Sequence, residues 1–170
     1  MTKSRTLISA AAAVLPLLLA AVPASAATPT QQATANAKIL RPLTISWVQD
    51  LDFGTIIMAS GAFGGEAVTL TQAGALTCGN THLTCTGTPV PAKYKLVGTD
   101  NAIVTISCPA FNLTGPQNLA FTPNAPATVN LGPNGDTAGV VFAIGGSITV
   151  ASTTKDGTYQ GTFNVTADYQ

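Results

Sequence analysis

The sequence has few charged side chains and little of the chemistry on which enzymes usually depend. Charged residues make up 8% of the 170, His82 is the only histidine and Glu66 is the only glutamate. The sequence has no basic patch for nucleic acid and no amphipathic basic helix for a membrane surface. It also lacks a nucleophile-elbow serine, a phosphate-binding glycine loop and a metalloprotease helix. These absences predict a protein that is not an enzyme, holds no metal or cofactor and does not bind nucleic acid.

The first 26 residues are typical of a secretory signal peptide. A short basic start precedes an apolar stretch from Leu7 to Val22, and the small residues Ala24 and Ala26 flank a cleavage point. The alternative is an uncleaved membrane anchor. The apolar stretch is short for a span and Pro16 interrupts it, so cleavage is favoured. We therefore expect an exported chain that is not inserted in a membrane after signal cleavage.

The remaining 144 residues (170 − 26) suit a single all-β domain. They are rich in Thr, Val, Ala, Gly, Asn and Pro, and poor in the straight-chain residues that long helices need. Many short segments with alternating polarity, separated by Gly and Asn, predict a β-sandwich in preference to a barrel. The expected organisation is a signal peptide (1–26), a flexible N-terminal arm (27–38) and a β-sandwich domain (39–170).

Several segments alternate apolar and polar residues as half-buried strands do. The expected inward-facing pairs are Val68 with Leu70, Tyr94 with Leu96, and Val104 with Ile106.

Three cysteines, Cys78, Cys85 and Cys108, follow the signal peptide. Cysteine pairs in exported proteins are usually oxidised. Chain entropy slightly favours a Cys78–Cys108 bridge, at roughly 3.7 against roughly 2.5 kcal/mol for Cys78–Cys85. The short spacing and the mirrored arms of LTCGNTHLTC favour Cys78–Cys85, which we predict, with Cys108 as a buried, inert thiol. A zinc site of Cys78, His82 and Cys85 is the alternative, but it lacks a fourth ligand.

The C-terminal segment GTYQGTFNVTADYQ, residues 157–170, alternates most regularly. Its glycine or apolar positions are Gly157, Tyr159, Gly161, Phe163, Val165, Ala167 and Tyr169. The pair Asp156-Gly157 predicts a hairpin turn before it. A long strand at this place has a free edge that can pair with another chain. The alternative is the last strand of a complete sandwich, paired on both sides.

Two features carry a resemblance to known families. Gly157 at the fourteenth position from the end, the penultimate Tyr169 and the apolar alternation between them resemble the C-terminal signature of chaperone–usher pilus subunits. The stretches LDFGTI (51–56) and 145–170 also resemble a family of secreted bacterial proteins catalogued only as a domain of unknown function and often associated with pilin-like subunits.

The resemblance implies an incomplete immunoglobulin-like sandwich that lacks its last strand. In such subunits a periplasmic chaperone lends a strand, which the N-terminal extension of the next subunit replaces at an outer-membrane usher. Here the apolar positions of residues 157–169 would line the groove, and the donor residues would be Ala33, Ala35, Ala37 and Ile39. The implied product is a homopolymeric fibre of like subunits, which pass through the periplasm to the cell surface.

Two departures from the family and two alternative functions accompany this interpretation. Many such pilins join their first two strands by a disulfide, whereas here the close pair is Cys78–Cys85. Before Ile39, the apolar side chains that the arm could place in a groove are alanines only. The alternative function is a self-complete sandwich that binds a carbohydrate or a host surface. A hydrolase would need His82 close to an aspartate, the candidates being Asp50, Asp52 and Asp100.

Overall fold

The computed structural model describes residues 28–170, so the predicted signal peptide (1–26) and the first residue of the arm lie outside the described residues. The described residues fall into two units, 28–37 and Lys38–Gln170. Residues 28–37 are exposed and have no regular secondary structure. Within the described part of the chain, no helix is long and apolar enough to cross a membrane.

The second unit is all-β, as the composition predicted. Within residues 28–170 the regular elements are twelve strands and one 3₁₀ turn, Gly132–Asn134. The strands are β1 (Thr44–Gln49), β2 (Thr55–Met58), β3 (Glu66–Leu70), β4 (Leu76–Cys78), β5 (Leu83–Thr86), β6 (Ala92–Val97), β7 (Ile103–Ser107), β8 (Phe111–Leu113), β9 (Leu119–Asn124), β10 (Thr128–Asn130), β11 (Val140–Val150) and β12 (Thr166–Tyr169).

The strands form three antiparallel sheets that pack as a β-sandwich. The largest has seven strands: β1-β6-β11-β3-β4 in order, with β9 paired to β11 and β8 paired to β9. A second sheet has the order β10-β7-β12, and a third pairs β2 with β5. The fold-class prediction of an all-β sandwich is therefore confirmed.

The core lies on the faces that the alternation predicted. Val68, Leu70, Leu96 and Val104 are fully buried, and Ile106 is buried with them. One cluster of buried side chains comprises Phe53, Val68, Leu70, Leu83, Leu119, Phe121, Ile148 and Val150. A second comprises Ala92, Leu96, Val104, Ile106, Val129, Leu131, Phe142 and Ile144. In β3 the buried Val68 and Leu70 alternate with Ala67 and Thr69, which are not buried, so a period of two identifies the buried positions there.

The long strand β11 connects the two clusters by changing partners along its length. Its residues 140–144 pair with β6, residues 146–150 pair with β3, and residues 145–148 pair with β9. The change falls at Gly145-Gly146. A Cβ atom on Gly146 would overlap the Phe121 ring, and one on Gly145 would overlap the Leu70 carbonyl oxygen. Glycine is therefore required here by close packing.

The C-terminal segment differs from its prediction in extent. A continuous strand over residues 157–169 was expected after a turn at Asp156-Gly157, but the strand begins only at Thr166. The chain turns earlier, where Thr154 N donates to Ala151 O at 2.8 Å. The reason is pairing: Thr166–Tyr169 lie against β7, whereas residues 161–165 make no backbone–backbone hydrogen bond in the described chain. The polar–apolar alternation of the sequence therefore extends beyond the residues that form backbone hydrogen bonds to a neighbouring strand.

Candidate functional site

A wide groove opens between two segments distant in sequence, residues 50–58 and residues 154–163. It encloses about 1440 Å³. Its floor consists of side chains of the core or packed against it: Phe111, Leu113, Leu119, Phe121, Ile148 and Val150. We call this the open groove. Leu119, Phe121, Ile148 and Val150 are buried under the groove, while Phe111 and Leu113 are half-buried. A groove with apolar side chains at its base is suited to a segment that supplies apolar side chains of its own.

Aromatic packing fixes one wall of the open groove. The Phe163 ring lies 5.6 Å from the Phe111 ring and 5.9 Å from the Phe121 ring, between centroids. Tyr159 packs against the same core cluster, and its hydroxyl donates to Lys155 O at 2.7 Å. A Cβ atom on Gly161 would lie 2.7 Å from the Phe111 ring. Tyr159, Gly161 and Phe163 therefore line the open groove.

The rest of the predicted groove strand continues this wall as β12. Val165, Ala167 and Tyr169 pack against the second core cluster, and the polar residues between them are exposed. In the described chain β12 pairs with β7 alone, so its other edge is open. Gly157 also lines the open groove, and a Cβ atom there would lie 2.5 Å from the Pro116 ring. The open edge presents unpaired backbone donors and acceptors to an added strand.

Tyr169 ties β12 to the start of the domain. Its hydroxyl accepts a hydrogen bond from Thr99 N at 2.7 Å and donates one to Arg41 O at 2.9 Å. A Cβ atom on Gly98 would overlap that hydroxyl oxygen. The penultimate tyrosine therefore has a positioning role besides its place beside the core.

Local hydrogen bonds hold the other wall of the open groove. Asp52 N and O both pair with the backbone of Val90, at 2.8 and 2.9 Å. The Asp52 carboxylate accepts from Gly54 N at 2.8 Å, and the Asp50 carboxylate accepts from Trp47 Nε1 at 2.9 Å. Each aspartate thus supports the wall or the adjoining strand.

The strand before this wall has an inner face that is only partly covered. Ile45 lies opposite Leu96 and Trp47 opposite Tyr94, so both point toward the core side of the sheet. Yet Ile45 is 38% and Trp47 62% exposed. The Tyr94 ring, next to Trp47, lies 6.4 Å from the ring of Phe163 in the groove wall, between centroids.

The predicted disulfide is confirmed. Cys78 of β4 and Cys85 of β5 are bonded, with Cα atoms 5.9 Å apart. The bridge joins the edge of the large sheet to the β2–β5 sheet. Cys108 is unpaired and only half-buried, which corrects the expectation of a buried thiol. Partial burial raises the pKa of the Cys108 thiol, so the protonated form dominates at neutral pH.

A contact that sequence reasoning missed joins the only glutamate to the only histidine. His82 Nδ1 lies 2.6 Å from Glu66 Oε1, and Asn80 N donates to Glu66 Oε2 at 2.9 Å. The Phe63 ring stacks on the His82 ring at 5.0 Å between centroids. The Asn80 amide and then His82 lower the pKa of the Glu66 carboxyl. The carboxylate bound to His82 is therefore Glu66, and not one of the three aspartates that the hydrolase alternative required.

The candidate donor residues are exposed. Ala33, Ala35 and Ala37 lie in the unit of residues 28–37, and each is exposed there. Ile39, near the start of the second unit, is 90% exposed.

Comparison with known proteins identifies a family. No curated protein and no solved structure matches this chain. A family model described as a domain of unknown function, DUF4402, matches residues 43–169. That range includes all twelve strands, both walls of the open groove and the disulfide. The chain therefore belongs to the DUF4402 family.

Proposed function

We propose that this protein is a structural subunit of a bacterial surface pilus, in which the N-terminal arm of one copy inserts beside the C-terminal strand of the next. The observation that carries the proposal is the open groove, with about 1440 Å³ above an apolar floor between residues 50–58 and 154–163. A groove bounded on two sides by chain segments suits an extended segment laid between them. The resemblance of residues 157–169 to the pilus-subunit signature supports the same function.

The backbone around the groove supports strand addition. Residues 161–165 make no backbone–backbone hydrogen bond within the described chain, and β12 has one open edge. An added strand gains main-chain hydrogen bonds there, while the side chains at alternate positions fill the groove. A head-to-tail contact of this kind is heterologous, so it propagates as an open filament.

The remaining parts of the proposal follow the resemblance. The sandwich is immunoglobulin-like and lacks a strand until a partner supplies one. A periplasmic chaperone occupies the groove during transit, an outer-membrane usher exchanges it for the arm of the next subunit, and the polymer stands on the cell surface. The subunit has no catalytic role and needs no cofactor.

The alternative, a self-complete sandwich that binds carbohydrate, has less support. Sugar-binding surfaces depend on exposed aromatic rings. Among the described residues Trp47 is more than half exposed, but Phe111, Phe121, Phe142 and Phe163 pack against one another or against tyrosine, and Phe121 and Phe142 are buried. A single exposed aromatic ring supports a sugar-binding surface less well than the open groove supports strand addition.

The test compares the mature chain, residues 27–170, with a variant that lacks residues 28–37. The deleted residues lie outside the range that the family model matches. We expect the mature chain to form polymers and the deletion variant to remain a monomer or a complex with its chaperone, as measured by size-exclusion chromatography with light scattering.

A scrambled arm gives the matched control. Reordering residues 28–37 keeps length and composition but places the alanines at successive positions, and we expect it to assemble as poorly as the deletion. A mature chain that stays monomeric with all strands paired internally, or a deletion variant that polymerises normally, contradicts the proposal.

A further inference from the structure

The backbone of the C-terminal segment, residues 157–169, directs alternate residues to its open edge. Near one end, Gln160 exchanges two backbone hydrogen bonds with Thr114, at 2.7 and 2.9 Å. At the other end, Gln170 N donates to Ile103 O at 3.1 Å. Because successive residues of a strand direct their amides and carbonyls to opposite edges, the even-numbered residues face the paired edge. The odd-numbered residues, whose side chains face the groove or the core, therefore present their backbone groups to an added strand.

The arm repeats the polar residues of this segment at the same spacing. TQQATANA (30–37) and TYQGTFNV (158–165) both have Thr, Gln, Thr and Asn at alternate positions. In the C-terminal segment these are the exposed residues Thr158, Gln160, Thr162 and Asn164. In the arm they are Thr30, Gln32, Thr34 and Asn36. Two segments with one polar pattern can therefore lie side by side with like side chains adjacent.

One antiparallel register matches the polar residues of the two segments throughout. With Thr34 opposite Thr162, each amide side chain faces an amide and each hydroxyl faces a hydroxyl. The pairs in this register are Thr30–Thr166, Gln32–Asn164, Thr34–Thr162 and Asn36–Gln160. A shift of two residues in either direction places the arm's amides opposite hydroxyls. Hydroxyl pairs and amide pairs hydrogen-bond across strands, so the matched register is favoured.

The apolar residues fit the same register by size. Ile39, the large side chain on the apolar face of the arm, lies opposite Gly157, and Ala33 lies opposite Phe163. Gly157 and Phe163 both line the open groove. The bulky residue of each pair thus has a small residue across from it, which suits close packing.

The surrounding sheets and the prolines of the arm indicate the direction and length of the added strand. Every strand pair in the described chain is antiparallel. Pro29 and Pro42 lack a backbone NH, and residues 30–41 between them contain no proline. An antiparallel ladder can therefore run without interruption along the matched residues.

We infer that the arm of a second copy of this chain docks antiparallel to residues 157–169, with Thr34 opposite Thr162. The inference rests on the proposed function and adds the register of the docked strand, together with the residues that select it. The alanines and Ile39 face the groove, while the Thr, Gln and Asn side chains of the two segments pair on the exposed face. A slip of one residue would turn the polar face inward, and a slip of two would mismatch amides with hydroxyls.

Cysteine pairs test the register in the full mature chain, with Cys108→Ser as the background. The even-numbered pairs are non-hydrogen-bonded in this register, so their Cα atoms lie about 4.5 Å apart, within reach of a disulfide. The three matched pairs are Thr34→Cys with Thr162→Cys, Gln32→Cys with Asn164→Cys, and Asn36→Cys with Gln160→Cys. Under mild oxidation we expect each matched pair to give a ladder of covalent polymers on a non-reducing denaturing gel. Each single-cysteine variant should give no more than dimers.

Exchanged pairs are the control for direction. They are Gln32→Cys with Gln160→Cys, and Asn36→Cys with Asn164→Cys. In the antiparallel register the two positions of an exchanged pair lie four residues apart, or about 14 Å, so we expect at least about tenfold less ladder. Parallel addition would instead cross-link the exchanged pairs.

A charge pair tests the same register without thiols. Thr34→Lys combined with Thr162→Lys places like charges opposite each other, and we expect assembly to weaken by about threefold or more. Thr34→Glu combined with Thr162→Lys should restore it. Both changed positions are exposed in the described chain, so the fold of the monomer should be unaffected.

Each outcome decides the inference. Ladders from the matched pairs and not from the exchanged pairs support it, as does restoration by opposite charges. Ladders from the exchanged pairs, equal ladders from all five pairs, polymers without cross-links, or disulfides formed only within monomers overturn it. Failure of the proposed function is seen separately, in the unmodified chain, as absence of polymers or as polymers that survive deletion of residues 28–37.

Discussion

At the scale of single residues, two polar contacts hold segments together that are far apart in sequence. The Tyr169 hydroxyl joins the C-terminal strand to Thr99 and Arg41. Glu66 joins the disulfide loop to β3 through Asn80 N and His82. Neither contact is visible in a local pattern, since the partners of Tyr169 lie 70 and 128 residues away.

Removing the tyrosine hydroxyl should loosen the end of the domain. Tyr169→Phe leaves Thr99 N without its acceptor and Arg41 O without its donor, and we expect the free energy of unfolding to fall by about 1–2 kcal/mol. Urea denaturation of the monomer measures the change. Tyr159→Phe is the matched control, because its hydroxyl bonds only Lys155 O four residues away. An equal loss in both variants would show that the long-range tie adds nothing.

The Glu66 contact should make stability depend on pH in the acid range. Because the pKa of the Glu66 carboxyl is lowered in the folded state, its contribution is present above the ordinary value of 4.5 and is lost as the pH falls through the folded pKa. We therefore expect Glu66→Gln to lower the urea midpoint at pH 7 and to differ less from the parent at pH 3.

Asp156→Asn is the control for this comparison. Asp156 is exposed and has no hydrogen-bond or ion-pair partner in the described chain, so its variant should match the parent at both pH values. A Glu66→Gln midpoint that differs from the parent more at pH 3 than at pH 7 would show that the sign of the linkage is wrong.

At the scale of elements, the disulfide fastens the smallest sheet to the largest. The β2–β5 sheet has two strands, and β2 forms part of one groove wall. Isolated two-stranded ribbons are marginally stable, so this wall depends on its neighbours. Cys85 connects β5 covalently to β4 at the edge of the seven-stranded sheet. The bridge thereby supports the groove wall through β5, the strand that pairs with β2.

Loss of the Cys78–Cys85 bridge should destabilise the groove wall more than it destabilises the domain as a whole. For the domain as a whole, the double variant Cys78→Ser/Cys85→Ser should lower the free energy of unfolding by about 2.5 kcal/mol. Hydrogen exchange should show a local loss of protection in Thr55–Met58 beyond this global change. Cys108→Ser, which breaks no disulfide, is the control. Unchanged protection in β2 would mean that packing alone holds the wall.

The strands that sequence reasoning located best are those whose two faces differ in polarity. β3, β6 and β7 have mainly polar or small outward-facing residues, so Val68, Leu70, Leu96 and Val104 could be assigned to the core from alternation. The C-terminal segment has the same alternation but not the same strand, because pairing depends on a neighbour that no local pattern describes. Its residues 163–169 still alternate in burial.

At the scale of the whole molecule, the fold class could be predicted from composition, whereas the open groove could be located only from the three-dimensional structure. A chain rich in β-branched residues and nearly without glutamate has little material for helices, so an all-β sandwich could be predicted. The open groove could be predicted only on one side. Its walls, residues 50–58 and 154–163, are about a hundred residues apart. Both contain stretches that resemble known families, but no local pattern brings the two together. The Trp47–Asp50 contact and the bare face of β1 emerge only when the sheets are placed.

The bond between Tyr169 and Arg41 also has a mechanical meaning. In a fibre joined as proposed, tension reaches each subunit through its arm, just before Arg41, and leaves through the strand docked along β12. The Tyr169 hydroxyl connects these two points directly, at 2.9 Å from Arg41 O. One short route for the load thus runs through the Tyr169 side chain.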